Sequence, residues 1–121
     1  EPDLAYGHQA GDAVLTELGK RLTFNLRESD FCARYGGEEF IVVMPDTTQL
    51  GARLVAERIK LLTADLPFEI PMDPKSVPCT VSIGVASLRP NESAMELQGR
   101  ADKALYKAKN EGRNRVVEDQ D

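Results

Sequence analysis

Gly36-Gly37-Glu38-Glu39 sets two residues without side chains directly before two carboxylates. A glycine pair bares the backbone, so a ligand can approach it closely. It also suits a tight turn, because glycine reaches positive φ without steric cost. On an extended strand neighbouring residues point to opposite faces, so Glu38 and Glu39 do not easily share one task. A carboxylate at a strand tip beside a bare turn is a reasonable ligand for Mg²⁺ or Mn²⁺, hard cations that take oxygen donors and substrate phosphates. The plain alternative is a hairpin turn with two solvated glutamates, and these four residues alone leave both open.

The elements that must position this turn are legible around it. From about His8 to Leu26 the pattern is helical, with Val14, Leu18 and Leu22 at spacings of four, Leu15 and Leu26 widening the stripe, and Glu17, Lys20 and Arg21 facing water. Phe31 to Tyr35 and Glu38 to Met44 read as the two strands of the hairpin. Ile41-Val42-Val43-Met44 is an apolar run expected of a strand covered on both faces. A second helix is expected from about Thr48 to Ala64, with Leu50, Leu54, Ile59 and Leu62 in phase. Phe68 to Ile70 reads as a short edge strand, Pro71 to Pro78 as a loop, and Cys79 to Ser87 as a strand near the middle of the sheet. Ser93, followed three residues later by Glu96, is a capping-box pattern opening a third helix along Leu97, Ala101, Leu105 and Ala108. Gly112 is placed to end it, Arg115 to Val117 reads as a last short strand, and the acidic tail from Glu118 is expected to fray. Helices packed on a sheet make this an α+β fold in a single domain.

A chain of 121 residues has room for one core. Its net charge of −5 gives no reason to bind a nucleic-acid duplex, which needs a basic stripe to displace counterions. A small phosphate ligand needs only a few local cations and is not excluded. Cys32 and Cys79 form no metal-type or redox-type spacing and are expected to be thiols. No apolar stretch approaches a membrane span and no signal-peptide pattern stands at the start, so the expected location is cytoplasmic, without membrane contact by this segment.

The full pentapeptide Gly36-Gly37-Glu38-Glu39-Phe40 weights the two readings of the turn differently. A chance match to it is expected roughly once in ten thousand chains of this length. Tyr6-Gly7-His8 with Gly11-Asp12, Arg34-Tyr35, Thr80 to Ala86, Ala101 to Lys109 and Gly112-Arg113-Asn114 stand in one order around it. Together they resemble the GGDEF family of diguanylate cyclases in its GGEEF form, and the run from Arg34 to Pro45 is similar to the cyclase domains of response regulators. The resemblance implies a palm-like, ferredoxin-like sheet, antiparallel-rich and packed by helices. It implies a nucleotidyl transferase that joins two GTP into cyclic di-GMP and releases two pyrophosphates. Each domain would hold one GTP, so a second GGDEF domain is the implied partner, in a homodimer.

Residue by residue, the resemblance makes Glu38 the metal-binding acid and Glu39 the second acid of the signature, with Mg²⁺ or Mn²⁺ as cofactor. Gly36 and Gly37 match the turn over which the nucleotide lies, and Asp12 the carboxylate facing the guanine edge. Lys109 and Arg113 match the cations on the β- and γ-phosphates. Arg27-Glu28-Ser29-Asp30 fits the RxxD pattern of a product-inhibition site five residues before the signature, and Arg58 its auxiliary arginine. His8, the one histidine, matches the helix entrance, a structural place. For Asp12, Lys109, Arg113 and the RxxD pair, ordinary helix-end charges and surface ion pairs are the competing readings.

The family pattern begins earlier than this chain. Its first strand with a metal-binding aspartate, a Phe-Lys segment and an Asn-Asp pair have no counterpart; Asp3 and Leu4 stand in register with that pair. The expectation is a piece of a longer, active cyclase, lacking the domain's first strand and inactive alone. A catalytically dead module that binds cyclic di-GMP or GTP as a sensor is the alternative.

Overall fold

The stripe Val14, Leu15, Leu18 and Leu22 is buried as its spacing requires, and it forms one side of the main core. The computed structural model describes residues 8–35, 37–70 and 75–120. Its elements run α1 (His8–Phe24), β1 (Phe31–Tyr35), β2 (Glu39–Val43), α2 (Gln49–Asp65), β3 (Phe68–Glu69), β4 (Ser76–Val77), β5 (Ile83–Val85), α3 (Ala94–Asn110) and β6 (Val116–Glu118). Against the α1 stripe pack Ile59, Phe68, Ile70, Val77, Cys79 and Val81, with Cys32 and Phe40 partly buried at the edge. Burial of each large side chain in this cluster contributes about 1.5–3 kcal/mol. Arg21 is not a water-facing residue as expected. Its guanidinium lies 3.7 Å from the Phe68 ring centroid and donates to the carbonyls of Leu66 at 2.8 Å and Pro67 at 3.0 Å, tying α1 to the segment leading into β3.

The described strands form three pairs: β1–β2 and β3–β4 antiparallel, β5–β6 parallel. A tight turn suffices for the first hairpin, whereas the parallel pair needs a crossover, and α3 supplies it. Two strand expectations are corrected here. Ser76 and Val77 lie within the expected loop but pair with Phe68 and Glu69, because Val77 is 4% exposed and belongs to the core. Residues 71–74 of that loop lie outside the described residues. Of the long strand expected from Cys79 to Ser87, only Ile83 to Val85 is regular, and β6 is its one partner among the described strands. The β2 run is not covered on both faces either. Val43 is 50% exposed beside its cross-strand partner Phe31 at 61%, on the face turned away from α1.

Local chemistry fixes the helix ends. Thr48 Oγ1 accepts the Gly51 amide at 3.0 Å at the start of α2. At α3 the capping box is complete: Glu96 N–H donates to Ser93 Oγ at 3.1 Å and Ser93 N–H to Glu96 Oε1 at 3.2 Å. Gly112, at φ +119°, follows the last turn as expected. The buried face of α2 differs from the expected one. Ala52, Ala56, Ile59 and Thr63 point inward, while Leu50 and Leu54 are more than 60% exposed. Small residues let α2 sit close to β5 and β6, where Ala52, Ala56 and Val85 form a second core cluster. On the other side α3 closes on β5 at Gly84, where an added Cβ would come nearer to the Ala101 carbonyl and the Leu105 backbone than real Cβ atoms do.

The acidic tail is anchored rather than frayed at Glu118 and Asp119. Glu118 closes β6, and Asp119 N–H donates to the Val85 carbonyl at 2.7 Å. Arg100 clamps this end. It pairs with Asp119 at 2.7 Å and Glu92 at 2.6 Å and donates to the Ser87 carbonyl. No helix among the described residues is long and apolar enough to cross a membrane.

Two stability measurements check this packing. Gly84→Ala is expected to destabilise by about 3 kcal/mol in urea unfolding, because the methyl meets backbone that cannot rotate away. The Arg100 hydrogen bonds hold the Glu92 carboxyl at about 2, below its ordinary 4.5. A depressed folded-state pKa adds stability that is complete above the unfolded value and is lost as pH falls through the folded one. The stability gap between the native chain and Glu92→Gln should therefore be constant at neutral pH and close between about pH 4.5 and 2 in acid titrations.

Candidate functional site

Phe40 anchors the hairpin. It packs partly buried against the main core, and its ring stands 3.5 Å from where a Cβ on Gly19 would be, an ordinary contact distance. The antiparallel register pairs Arg34 with Phe40 and Tyr35 with Glu39, which leaves 36–38 as the connecting turn. Gly36 lies outside the described residues. Gly37 and Glu38 are exposed and Glu39 is half-buried, so the Glu38 carboxylate stands free of the sheet at the tip while Glu39 belongs to the strand. Arg34 folds back over the turn, and its Nε and Nη2 donate to the Gly37 carbonyl at 3.0 and 2.7 Å.

Among the described residues no group of three or more His, Cys, Asp or Glu side chains converges as a metal cage. One exposed carboxylate at a bare turn, with a second beside it, still fits Mg²⁺, which keeps water and takes one or two carboxylates plus substrate phosphates. The remaining candidates stand on other elements. Asp12 is exposed on α1, a helix packed on the hairpin. Lys109 lies in the last turn of α3, and Arg113 follows in a left-handed turn, at φ +63°, with its amide donating to the Ala108 carbonyl at 3.0 Å. His8 opens α1.

At the open end of the same hairpin Arg27 and Asp30 are joined by a salt bridge of 2.7 Å. Arg27 Nη2 also donates to the Pro45 carbonyl and to Thr47 Oγ1, both at 2.8 Å, so it ties the segment entering β1 to the one leaving β2. Asp30 takes the Arg27 amide at 2.8 Å as well, and its carboxylate is nearly covered. The Arg27 side-chain hydrogen bonds hold the Asp30 carboxyl below its ordinary value, and the same bonds raise the Arg27 pKa. Arg58 comes from α2 to the same loop, donating to the Asn25 carbonyl at 2.7 Å.

The structure thus joins Arg27 to Asp30 and seats Arg58 on the same loop. It sets Glu38, Asp12 and the Lys109–Arg113 pair on three separate elements. Sequence reasoning missed Arg34 as a clamp and Thr47 as a support, since both act through contacts that no local pattern reports. A shallow cleft of about 720 Å³ beside Arg89, Arg100, Lys103 and Asp119 lies at the tail clamp and contains none of the candidate residues.

The fold is an α+β core that presents the Glu38 carboxylate at a hairpin tip beside Gly37. The model of the GGDEF domain of diguanylate cyclases matches residues 3–115. Diguanylate cyclase A of Treponema denticola is 48% identical over 113 residues, covering 93% of this chain and 30% of that protein. The response regulator PleD of Caulobacter vibrioides is 43% identical over 113 residues, covering 93% of this chain and 25% of its own length. Among solved structures, the GGDEF domain of DgcB from Caulobacter crescentus in complex with c-di-GMP superposes with a TM-score of 0.89 at 32% identity, over 96% of this chain and 66% of that one. The active GGEEF domain of a Vibrio cholerae diguanylate cyclase gives 0.84 at 36% identity, over 96% and 72%. The chain belongs to the GGDEF domain family, and its fold is the palm-like α+β fold of that family. It spans less than a third of the length of these two curated relatives.

Proposed function

We propose that the protein carrying this chain is a diguanylate cyclase, condensing two GTP into cyclic di-GMP and two pyrophosphates. The observation that carries the reading is Glu38, an exposed carboxylate on a turn with no side chain at Gly37, in a chain of the GGDEF family. Two domains face each other, each holding one GTP, so that the 3′-hydroxyl of one nucleotide reaches the α-phosphate of the other in line. The protein's work is positioning and charge neutralisation.

Glu38 would hold Mg²⁺ or Mn²⁺, which when bound offsets charge on the phosphate oxygens, and Glu39 is the second acid of the signature. Gly36 and Gly37 leave room for the nucleotide over the turn. Asp12 accepts from the guanine N1–H and exocyclic amine, a pattern that adenine cannot offer. Lys109 and Arg113 hold the β- and γ-phosphates from the end of α3. A GTP substrate places this domain in the cytoplasm.

Arg27, Asp30 and Arg58 form the site at which product inhibits. The guanidinium offers a fork for a phosphate or a guanine Hoogsteen edge, and Asp30 an acceptor for guanine N–H groups. The preformed Arg27–Asp30 pair also favours a second reading, a cyclic di-GMP sensor without turnover, since it needs nothing from the hairpin tip. Calorimetry with GTP and cyclic di-GMP on the full-length protein separates the two: product binding without pyrophosphate release supports the sensor.

Under the cyclase reading, Glu38→Gln in the full-length protein with Mg²⁺ is expected to abolish cyclic di-GMP synthesis; retention of full activity would refute the metal role of Glu38. Arg27→Ala should raise the product concentration needed for half-inhibition at least about tenfold, as loss of charge-assisted hydrogen bonds predicts. An unchanged inhibition curve would move the product site elsewhere.

A further inference from the structure

Gly37 is the least crowded of the described turn residues of the hairpin. Nothing lies within 4 Å of the place its Cβ would take, and glycine samples both signs of φ with little preference. The peptide joining Gly37 to Glu38 could therefore turn over at small cost. One contact opposes this. The Arg34 Nε and Nη2 converge on the Gly37 carbonyl at 3.0 and 2.7 Å, occupying its two lone pairs with a charged, planar fork. Arg34 is itself fixed at its base, because it pairs across the ladder with Phe40, whose ring rests against Gly19.

A trans peptide is planar, with C=O and N–H pointing in opposite directions. A clamp on the Gly37 carbonyl therefore fixes the Glu38 N–H as well and turns it away from Arg34. We infer that Arg34 is a positioning residue that aims the Glu38 backbone N–H at a phosphate oxygen of the bound nucleoside triphosphate. The inference rests on the GTP reading above and adds to it a donor that belongs to the same residue as the metal-binding carboxylate. In a chain with net charge −5, an uncharged donor held in place before the ligand arrives stabilises phosphate charge without reorganisation during reaction.

The test uses the full-length protein with Mg²⁺ and compares Arg34→Ala and Arg34→Lys with the unmodified enzyme. The expected result is a kcat lowered on the order of ten- to a hundredfold in both variants, with KM for GTP changed by less than about threefold. Undiminished cyclic di-GMP binding at Arg27 verifies that the variants are folded. Lysine keeps the charge but not the fork. If Arg34→Lys restores the unmodified kcat, charge and not orientation is what matters, and the inference is overturned.

A second measurement does not need turnover. In ¹⁵N-labelled protein titrated with a non-hydrolysable GTP analogue, the Glu38 amide should shift strongly and lose that response in Arg34→Ala. An enzyme that makes no cyclic di-GMP but shows this amide response refutes the cyclase reading and upholds the role of Arg34. No Glu38 response in the unmodified protein overturns the role of Arg34 whatever the activity.

Discussion

Backbone meets backbone where α3 closes on β5, and small residues also bring α2 close to that strand. Gly84 lets α3 come down on β5, where any Cβ would run into the Ala101 carbonyl and the Leu105 backbone. Ala52 and Ala56 do the same for α2 against Val85. Dispersion falls off steeply with separation, so an approach this close gains contact energy along a whole face. The same closeness fixes orientation, because a helix seated on a glycine has few other ways to sit.

Function inherits that precision at the hairpin. Phe40 carries the load from α1 into β2, the register hands it to Arg34, and Arg34 hands it to the Gly37 carbonyl at the tip. At the other end Arg27 spans from the start of β1 to Pro45 and Thr47 beyond β2. Two arginines therefore bracket a hairpin whose outer face exposes Phe31, Tyr35 and Val43. Hydrogen bonds from the two guanidinium groups hold the ends of the hairpin in place.

The sequence made some of this legible and hid the rest for physical reasons. Spacing marks Val14, Leu18 and Leu22 as core because they repeat every four residues, whereas Phe24 on the same helix falls off that stripe and is exposed. The capping box at Ser93 and Glu96 and the RxxD pair at Arg27 and Asp30 are local, three residues apart, and their contacts form as their spacing allows. On α2 the rule of apolar size points to the wrong face. Leu50 and Leu54 carry more apolar surface than Ala52 and Ala56, but the β5–β6 pair demands proximity and not bulk. Asp119 was read as a loose tail because its partner Arg100 lies 19 residues back, a pairing only the tertiary fold creates. Arg34 and Thr47 were passed over on the same ground: a side chain that acts on a carbonyl or on another side chain leaves no pattern of its own.

That blind spot has a direction. Motif reading finds groups that touch a ligand, because their chemistry is written in their own residue type. It overlooks groups that hold those residues in place, because almost any polar residue type can do so given the right neighbour. Under the GTP reading proposed above, the second kind governs how the backbone meets phosphate. Neutral backbone N–H groups can meet phosphate beside the chain's cations, and a backbone N–H is only as useful as its peptide plane is fixed. Gly37 frees that plane, and Arg34 fixes it again. The two residues are complementary: the glycine opens the approach to the backbone, and the arginine limits the conformational freedom that the glycine brings.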